Sequence, residues 1–124
     1  MTKSNFYGIP RENLQEEAKK KGLKVVFPKN NQLFVDIDSE EQMKVFRERI
    51  DMLKSLFDCE SEIKVSQSGH PHYHIYVDIK TAICNTERIL LQLFLGSDVM
   101  HEFLSYRDYV NGEAYPVLFF EKDK

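Results

Sequence analysis

Apolar residues recur along this chain in two rhythms, one of two residues and one of three to four. In the stretch Gln32-Leu-Phe-Val-Asp-Ile-Asp38, Leu33, Val35 and Ile37 fall on one side and Phe34, Asp36 and Asp38 on the other. That is the pattern of a half-buried strand. The same alternation puts Tyr73, Ile75 and Val77 on one face of a second strand and His72, His74, Tyr76 and Asp78 on the other. Residues 23–27, 62–66 and 116–120 read as further short strands. The longer rhythm is clearest in Met43, Phe46, Ile50, Leu53 and Phe57, introduced by Ser39-Glu40-Glu41-Gln42. Those four residues have the form of a capping box, so a helix opens there and packs one stripe on the sheet.

The remaining segments carry start and stop signals. Residues 1–9 read as a loosely held arm. Pro10 suits a first helical position, Glu12, Glu16 and Glu17 precede Lys19, Lys20 and Lys21 as the helix dipole prefers, and Gly22 ends the helix. Thr81 or Asn85 caps a helix through Glu87, Ile89, Leu90, Leu93 and Phe94 to Gly96. Ser97 caps another, in which Val99, Phe103, Tyr106 and Val110 share a stripe, and Asn111-Gly112 stops it. A Ser/Gly/Pro turn of about five residues joins 62–66 to the His strand as a hairpin. If Ile63 and Val65 pack inward there, Lys64 lies on the polar side.

Leaving aside the first helix and strand, the order is strand, helix, strand, strand, helix pair, strand. This predicts an α+β fold: an RRM-like or ferredoxin-like antiparallel sheet, a βαββαβ core with an extra N-terminal helix and strand and helices on one face. In that topology the Asp36/Asp38 strand and the His72/His74 strand are central neighbours. With both apolar stripes facing the helices, both polar clusters emerge together on the open face. The strand at 23–27 and the last strand compete for one edge, and the sequence leaves their order open.

Length and composition narrow the class. At 124 residues the chain reads as one domain, 1–124, with 42% hydrophobic and 30% charged residues, ordinary for a globular protein. No apolar run reaches 18 residues, and Met1 to Tyr7 lack a signal-peptide core, so a cytoplasmic protein without a membrane span is expected. Cys59 and Cys84 have no zinc spacing and read as free thiols. A net charge of −3 argues against broad electrostatic binding of nucleic acid, though not against a local basic groove or a metal-assisted one.

The candidate chemistry lies on the two alternating strands. Asp36 and Asp38 point the same way at a strand end and offer hard oxygen ligands to a divalent ion, Mg²⁺ or Mn²⁺. His72 and His74 stand side by side, a common way to present nitrogen ligands. Lys64 can neutralise phosphate charge. Phe34 and Tyr76 on the open face can serve as stacking platforms for single-stranded bases.

Two families share such a sheet. Val35-Asp36-Ile37-Asp38, Ser68-Gly69-His70-Pro71-His72 and, as a third acidic position, Asp98 in Leu95-Gly96-Ser97-Asp98 resemble the archaeo-eukaryotic primase-polymerase superfamily over about residues 32–98. Ser97 and Asp98 also make a good helix start. The resemblance implies metal-dependent nucleotidyl or phosphoryl transfer on a nucleotide or nucleic acid. Asp36 and Asp38 would hold the metal, Ser68 and Lys64 would lie near the substrate, and His72 or His74 would contact a phosphate or complete the metal shell. Pro71-His72-Tyr73-His74-Ile75, with Tyr106 and Tyr109 on a following helix, is similar to the His-hydrophobe-His replication-initiator and relaxase nucleases. It implies a metal on the His pair and a catalytic Tyr109 attacking DNA, Tyr106 reading as core. The chain is shorter than a complete primase and lacks a zinc module, and it lacks the nucleases' basic character. The whole pattern through Leu118-Phe119-Phe120-Glu121 also resembles small phage-type proteins, which leaves a non-catalytic RRM-like binding module, or a phage protein that binds a host protein, as further alternatives.

Overall fold

The computed structural model describes residues 13–66, 69 and 71–122. The elements run α1 (Leu14–Lys20), β1 (Leu23–Val26), β2 (Gln32–Ile37), α2 (Glu40–Leu56), β3 (Cys59–Val65), β4 (Tyr73–Ile79), α3 (Asn85–Phe94), α4 (Val99–Val110) and β5 (Phe119–Lys122). The expected arm at 1–9 and the helix start at Pro10 lie outside the described residues. The α+β class holds, with two antiparallel sheets in place of one: β2-β4-β3 and β1-β5. Neither β1 nor β5 joins the edge of β2; they pair with each other, from Leu23 opposite Lys122 to Val26 opposite Phe119.

The edge of β2 is closed instead by side chains. Residues 32, 34 and 36 turn their backbone groups away from β4, and α3 with the turn after it meets them one by one. Arg88 Nε donates to the Gln32 carbonyl at 2.8 Å, the Phe34 N–H donates to Gln92 Oε1 at 2.7 Å, and the Asp36 N–H donates to Ser97 Oγ at 2.9 Å. The Asp36 carbonyl then accepts the Asp98 N–H at 2.7 Å. An open strand edge is a row of unmet donors and acceptors, and this row of polar side chains satisfies it without a fourth strand. A smaller version occurs on β1, where the Gln15 amide both donates to the Val25 carbonyl and accepts the Val25 N–H.

The two sheet faces are therefore both occupied, which corrects the expectation of an open face. Leu33, Val35, Ile37, Ile75, Val77 and Ile79 pack against Met43, Phe46, Ile50 and Leu53 of α2. Of the expected capping box at α2 the serine half forms, Ser39 Oγ accepting from the Gln42 N–H at 3.1 Å, while the Gln42 side chain accepts from the Asp38 N–H in place of the Ser39 N–H. Phe57 follows the helix and is partly exposed rather than buried. On the other face Phe34, Ile89, Val117 and Phe119 form a second cluster. The β3–β4 hairpin closes as expected, the Ser66 N–H donating to the His72 carbonyl across a five-residue turn. Ile63 and Val65 are exposed, not packed inward, because β3 is the outer strand and lies beyond the residues that α2 covers.

Helix α3 starts at Asn85 behind an N-cap at Cys84, whose N–H donates to Glu87 Oε1; neither Thr81 nor Asn85 is the cap. Helix α4 reverses its expected orientation. It buries Glu102 and Ser105 and leaves Val99, Phe103, Tyr106 and Val110 in solvent. The inward pull is polar. Glu102 is almost wholly enclosed and accepts from Gln92 Nε2 at 2.9 Å and from Ser97 Oγ at 2.7 Å. His101 places Nδ1 3.1 Å from Glu102 and Nε2 3.2 Å from the Leu118 carbonyl. Two acceptors on one ring require both nitrogens protonated, so an imidazolium balances the buried carboxylate. The gap in the turn is set by Gly96, at φ +92°, where an added Cβ would lie 3.0 Å from the Gln42 carbonyl.

Burial alone would push His101 down, but the Glu102 carboxylate, with Asp36 and the Leu118 carbonyl, holds it at about 9, above its ordinary 6.5. A raised folded-state pKa contributes stability that is complete below pH 6.5 and is lost as the pH rises through 9. Thermal melts should therefore show Tm falling between these pH values. In His101→Gln the fall should flatten and Tm should be lower at pH 6.5.

Candidate functional site

The site gathers where the C-terminal end of β2, the start of β4 and the N-terminus of α4 meet. Antiparallel register sets Asp36 opposite His74, so the two alternating polar rows land on the same side. His74 Nε2 lies 3.9 Å from Asp36 Oδ1, and His72 Nδ1 lies 2.9 Å from Asp38 Oδ1. The four expected residues thus come together as two acid–imidazole pairs. One pair is nearly enclosed, the other partly exposed.

A third carboxylate completes the cluster. One oxygen each of Asp36, Asp38 and Asp98 can be chosen so that all three lie within 4.8 Å of one another. Asp98 arrives there because its N–H bonds the Asp36 carbonyl and its Oδ2 caps α4 by accepting the His101 N–H at 3.2 Å. Gln42 ties the acids together, accepting the Asp38 N–H at 2.6 Å and donating to Asp98 Oδ1 at 3.4 Å. Three hard oxygen donors at this spacing suit Mg²⁺ or Mn²⁺, and a neighbouring imidazole favours Mn²⁺.

Glu121 of β5 sits behind His74 and was not among the expected site residues. His74 Nδ1 lies 2.9 Å from Glu121 Oε2, and the Tyr76 hydroxyl donates to the same oxygen. Glu121 thereby fixes the His74 ring and leaves Nε2 toward Asp36. Phe119 stacks on His74 with centroids 3.8 Å apart. Burial alone would raise the Glu121 pKa, but the bonds from His74 and Tyr76 and the charge of Lys64 hold it below its usual value. Burial and the Glu121 carboxylate push the Tyr76 hydroxyl strongly up, so it acts as a donor.

The other expected residues divide. Lys64 lies opposite His74 with Nζ 5.2 Å from the Tyr76 ring centroid, on the polar side as expected. Phe34 offers no platform for a base: it is fully enclosed, stacked on Phe119 and edge-on to Tyr76. Tyr76 is half-buried in the same cluster. Tyr106 is exposed rather than core, beside the exposed Tyr109. Ser68 lies outside the described residues. Cys59 and Cys84 are free thiols, and burial raises Cys59. Among the described residues no helix is long and apolar enough to cross a membrane.

Comparison with known protein families, characterised proteins and solved structures finds no match.

A depressed carboxylate contributes stability that is present above its unfolded pKa and is lost as the pH falls through the folded one. The Glu121 contribution should therefore fade as the pH falls below about 4.5. Glu121→Gln should be less stable than the parent at pH 7 by about 1–2 kcal/mol, and melt at lower temperature, because the shared acceptor of two donors loses its charge. Once the pH has fallen through the lowered folded-state pKa of Glu121, the two melting curves should converge.

Proposed function

We propose that the chain is a divalent-metal-dependent nucleotidyl- or phosphoryl-transfer domain of primase-polymerase type, or a nucleotide-binding derivative of one. The observation that carries this reading is the convergence of Asp36, Asp38 and Asp98 from two separate segments, with an imidazole beside each of the first two. Those three residues are the acidic positions of the sequence resemblance. The order β2-β4-β3 with α2 crossing between β2 and β3 fits three strands of an RRM-like sheet, although β5 lies elsewhere.

In this reading the three aspartates hold Mg²⁺ or Mn²⁺. Bound there, the ion would polarise a phosphoryl group and offset its negative charge. The chain's own groups do the rest. Gln42 spaces Asp38 from Asp98, and Glu121 orients His74 so that Nε2 can take a place beside the metal. His72, on the more exposed side, is the imidazole that a phosphate would meet first, and Lys64 supplies positive charge along the same face. Nucleotide or single-stranded nucleic acid is the substrate class, and a cytoplasmic setting suits the free thiols.

One observation weighs against an alternative. The enclosure of Phe34 removes one of the two stacking platforms from the non-catalytic binding-module reading.

Calorimetric titration with Mn²⁺, paired with thermal melts, tests the reading. The parent should bind one ion and gain about 2.7 kcal/mol at a hundredfold excess over Kd. Asp36→Asn should abolish the gain without losing the metal-free fold, and Glu121→Gln should weaken binding about 10–100-fold. No heat and no shift in the parent would remove the metal site and the transfer reading with it.

A further inference from the structure

The exposed stripe of α4 has a regularity that its role in the monomer does not use. Val99, Phe103, Tyr106 and Val110 are separated by four, three and four residues, the spacing of a coiled-coil seam. All four face solvent, at 71%, 59%, 49% and 61% exposure. The buried side of the helix is anchored by Glu102 and Ser105, so the seam is held outward rather than left loose.

The seam is also mirrored about its centre. Both the inner aromatic pair, Phe103 and Tyr106, and the outer valine pair, Val99 and Val110, are centred between Leu104 and Ser105. Run antiparallel against a copy of itself, such a stripe sets Phe103 against Tyr106 of the second copy and Val99 against Val110 of the second copy. Large meets large at the centre and small meets small at the ends. A two-fold interface needs this self-complementarity, and an unrelated partner would not.

Charge and area agree. The chain carries net −3, and a neutral patch lets two copies meet without adding like-charge repulsion at the contact. The seam has no charged residue, and the flanking Arg107 is neutralised by Asp108 at 3.0 Å. Antiparallel helices also oppose their dipoles favourably. With Met100 and Tyr109 at its borders, the patch exposes on the order of 600 Å² per copy, about 1,200 Å² for the pair, the lower range of stable interfaces.

We infer that the α4 face is a homodimer interface, closed by two antiparallel copies of α4 across a two-fold axis. Sedimentation equilibrium of the full chain should give a mass near twice 14.6 kDa at about 100 µM. Phe103→Asp and Tyr106→Asp should each return it to the monomer with an unchanged circular dichroism spectrum. Leu56→Asp, at an exposed apolar residue elsewhere, should leave the dimer intact.

Orientation is read by cross-linking in a Cys59→Ser, Cys84→Ser background. The double variant Val99→Cys, Val110→Cys should oxidise to a linked dimer. Each single variant should not, because like positions at the ends of an antiparallel pair lie roughly 16 Å apart. A parent that stays monomeric at about 100 µM overturns the inference. So does a dimer that survives Phe103→Asp, or one that Val99→Cys alone links efficiently.

Discussion

Strand β2 has a strand neighbour on one side only, and how its other edge is satisfied governs most of this structure. A buried N–H without an acceptor costs about 1–3 kcal/mol, so the edge must be met. Here it is met by Arg88, Gln92, Ser97 and the Asp98 backbone rather than by another strand. Those residues must sit at fixed heights along β2, which fixes α3 beside the sheet. It also fixes the short turn at Gly96 that swings α4 back. Glu102 then closes the arrangement from behind, accepting from Gln92 and Ser97, the residues that touch the strand. Among the described residues no buried side-chain nitrogen or oxygen lacks a partner, as such a polar seam requires.

The same seam builds the candidate site. The bond from the Asp98 N–H to the Asp36 carbonyl is the last rung of the edge and also the step that brings a third carboxylate beside Asp36 and Asp38. The charge is graded across the site. Behind it, the His101 imidazolium balances Glu102, and His74 meets Glu121. Toward solvent, Asp38 and His72 remain partly accessible. A cation would offset the repulsion of the three aspartates.

Much of this was legible in the sequence, and the failures share a cause. Strict alternation in 32–38 and 72–78 identified two strands and the faces of Asp36, Asp38, His72 and His74, because a period of two leaves no freedom of side. The capping sequence at Ser39 and the stripe from Met43 to Leu53 located α2 for a similar reason. The place of β5 was not legible: nothing in residues 116–120 says that Gln92 and Ser97 already occupy the edge of β2. Helix α4 was read by its apolar stripe, whereas a buried Glu102 bonded by three partners outweighs that stripe and turns it outward. The cap of α4 was expected at Ser97 and is Asp98, because the Ser97 hydroxyl is taken up by the β2 edge and Glu102, so the second role of Asp98 needed the turn geometry. Glu121 fell just beyond the strand that the apolar run marked out.

Side chains, not a strand, seal β2. Residue-resolved amide hydrogen exchange measures this directly at Phe34 and Asp36, whose N–H groups point to Gln92 and Ser97. Protection at both amides should be comparable to that of Leu33 and Val35, with Gln92→Leu releasing Phe34 most strongly. Rapid exchange at Phe34 and Asp36 in the parent, beside slow exchange at Leu33 and Val35, would contradict it.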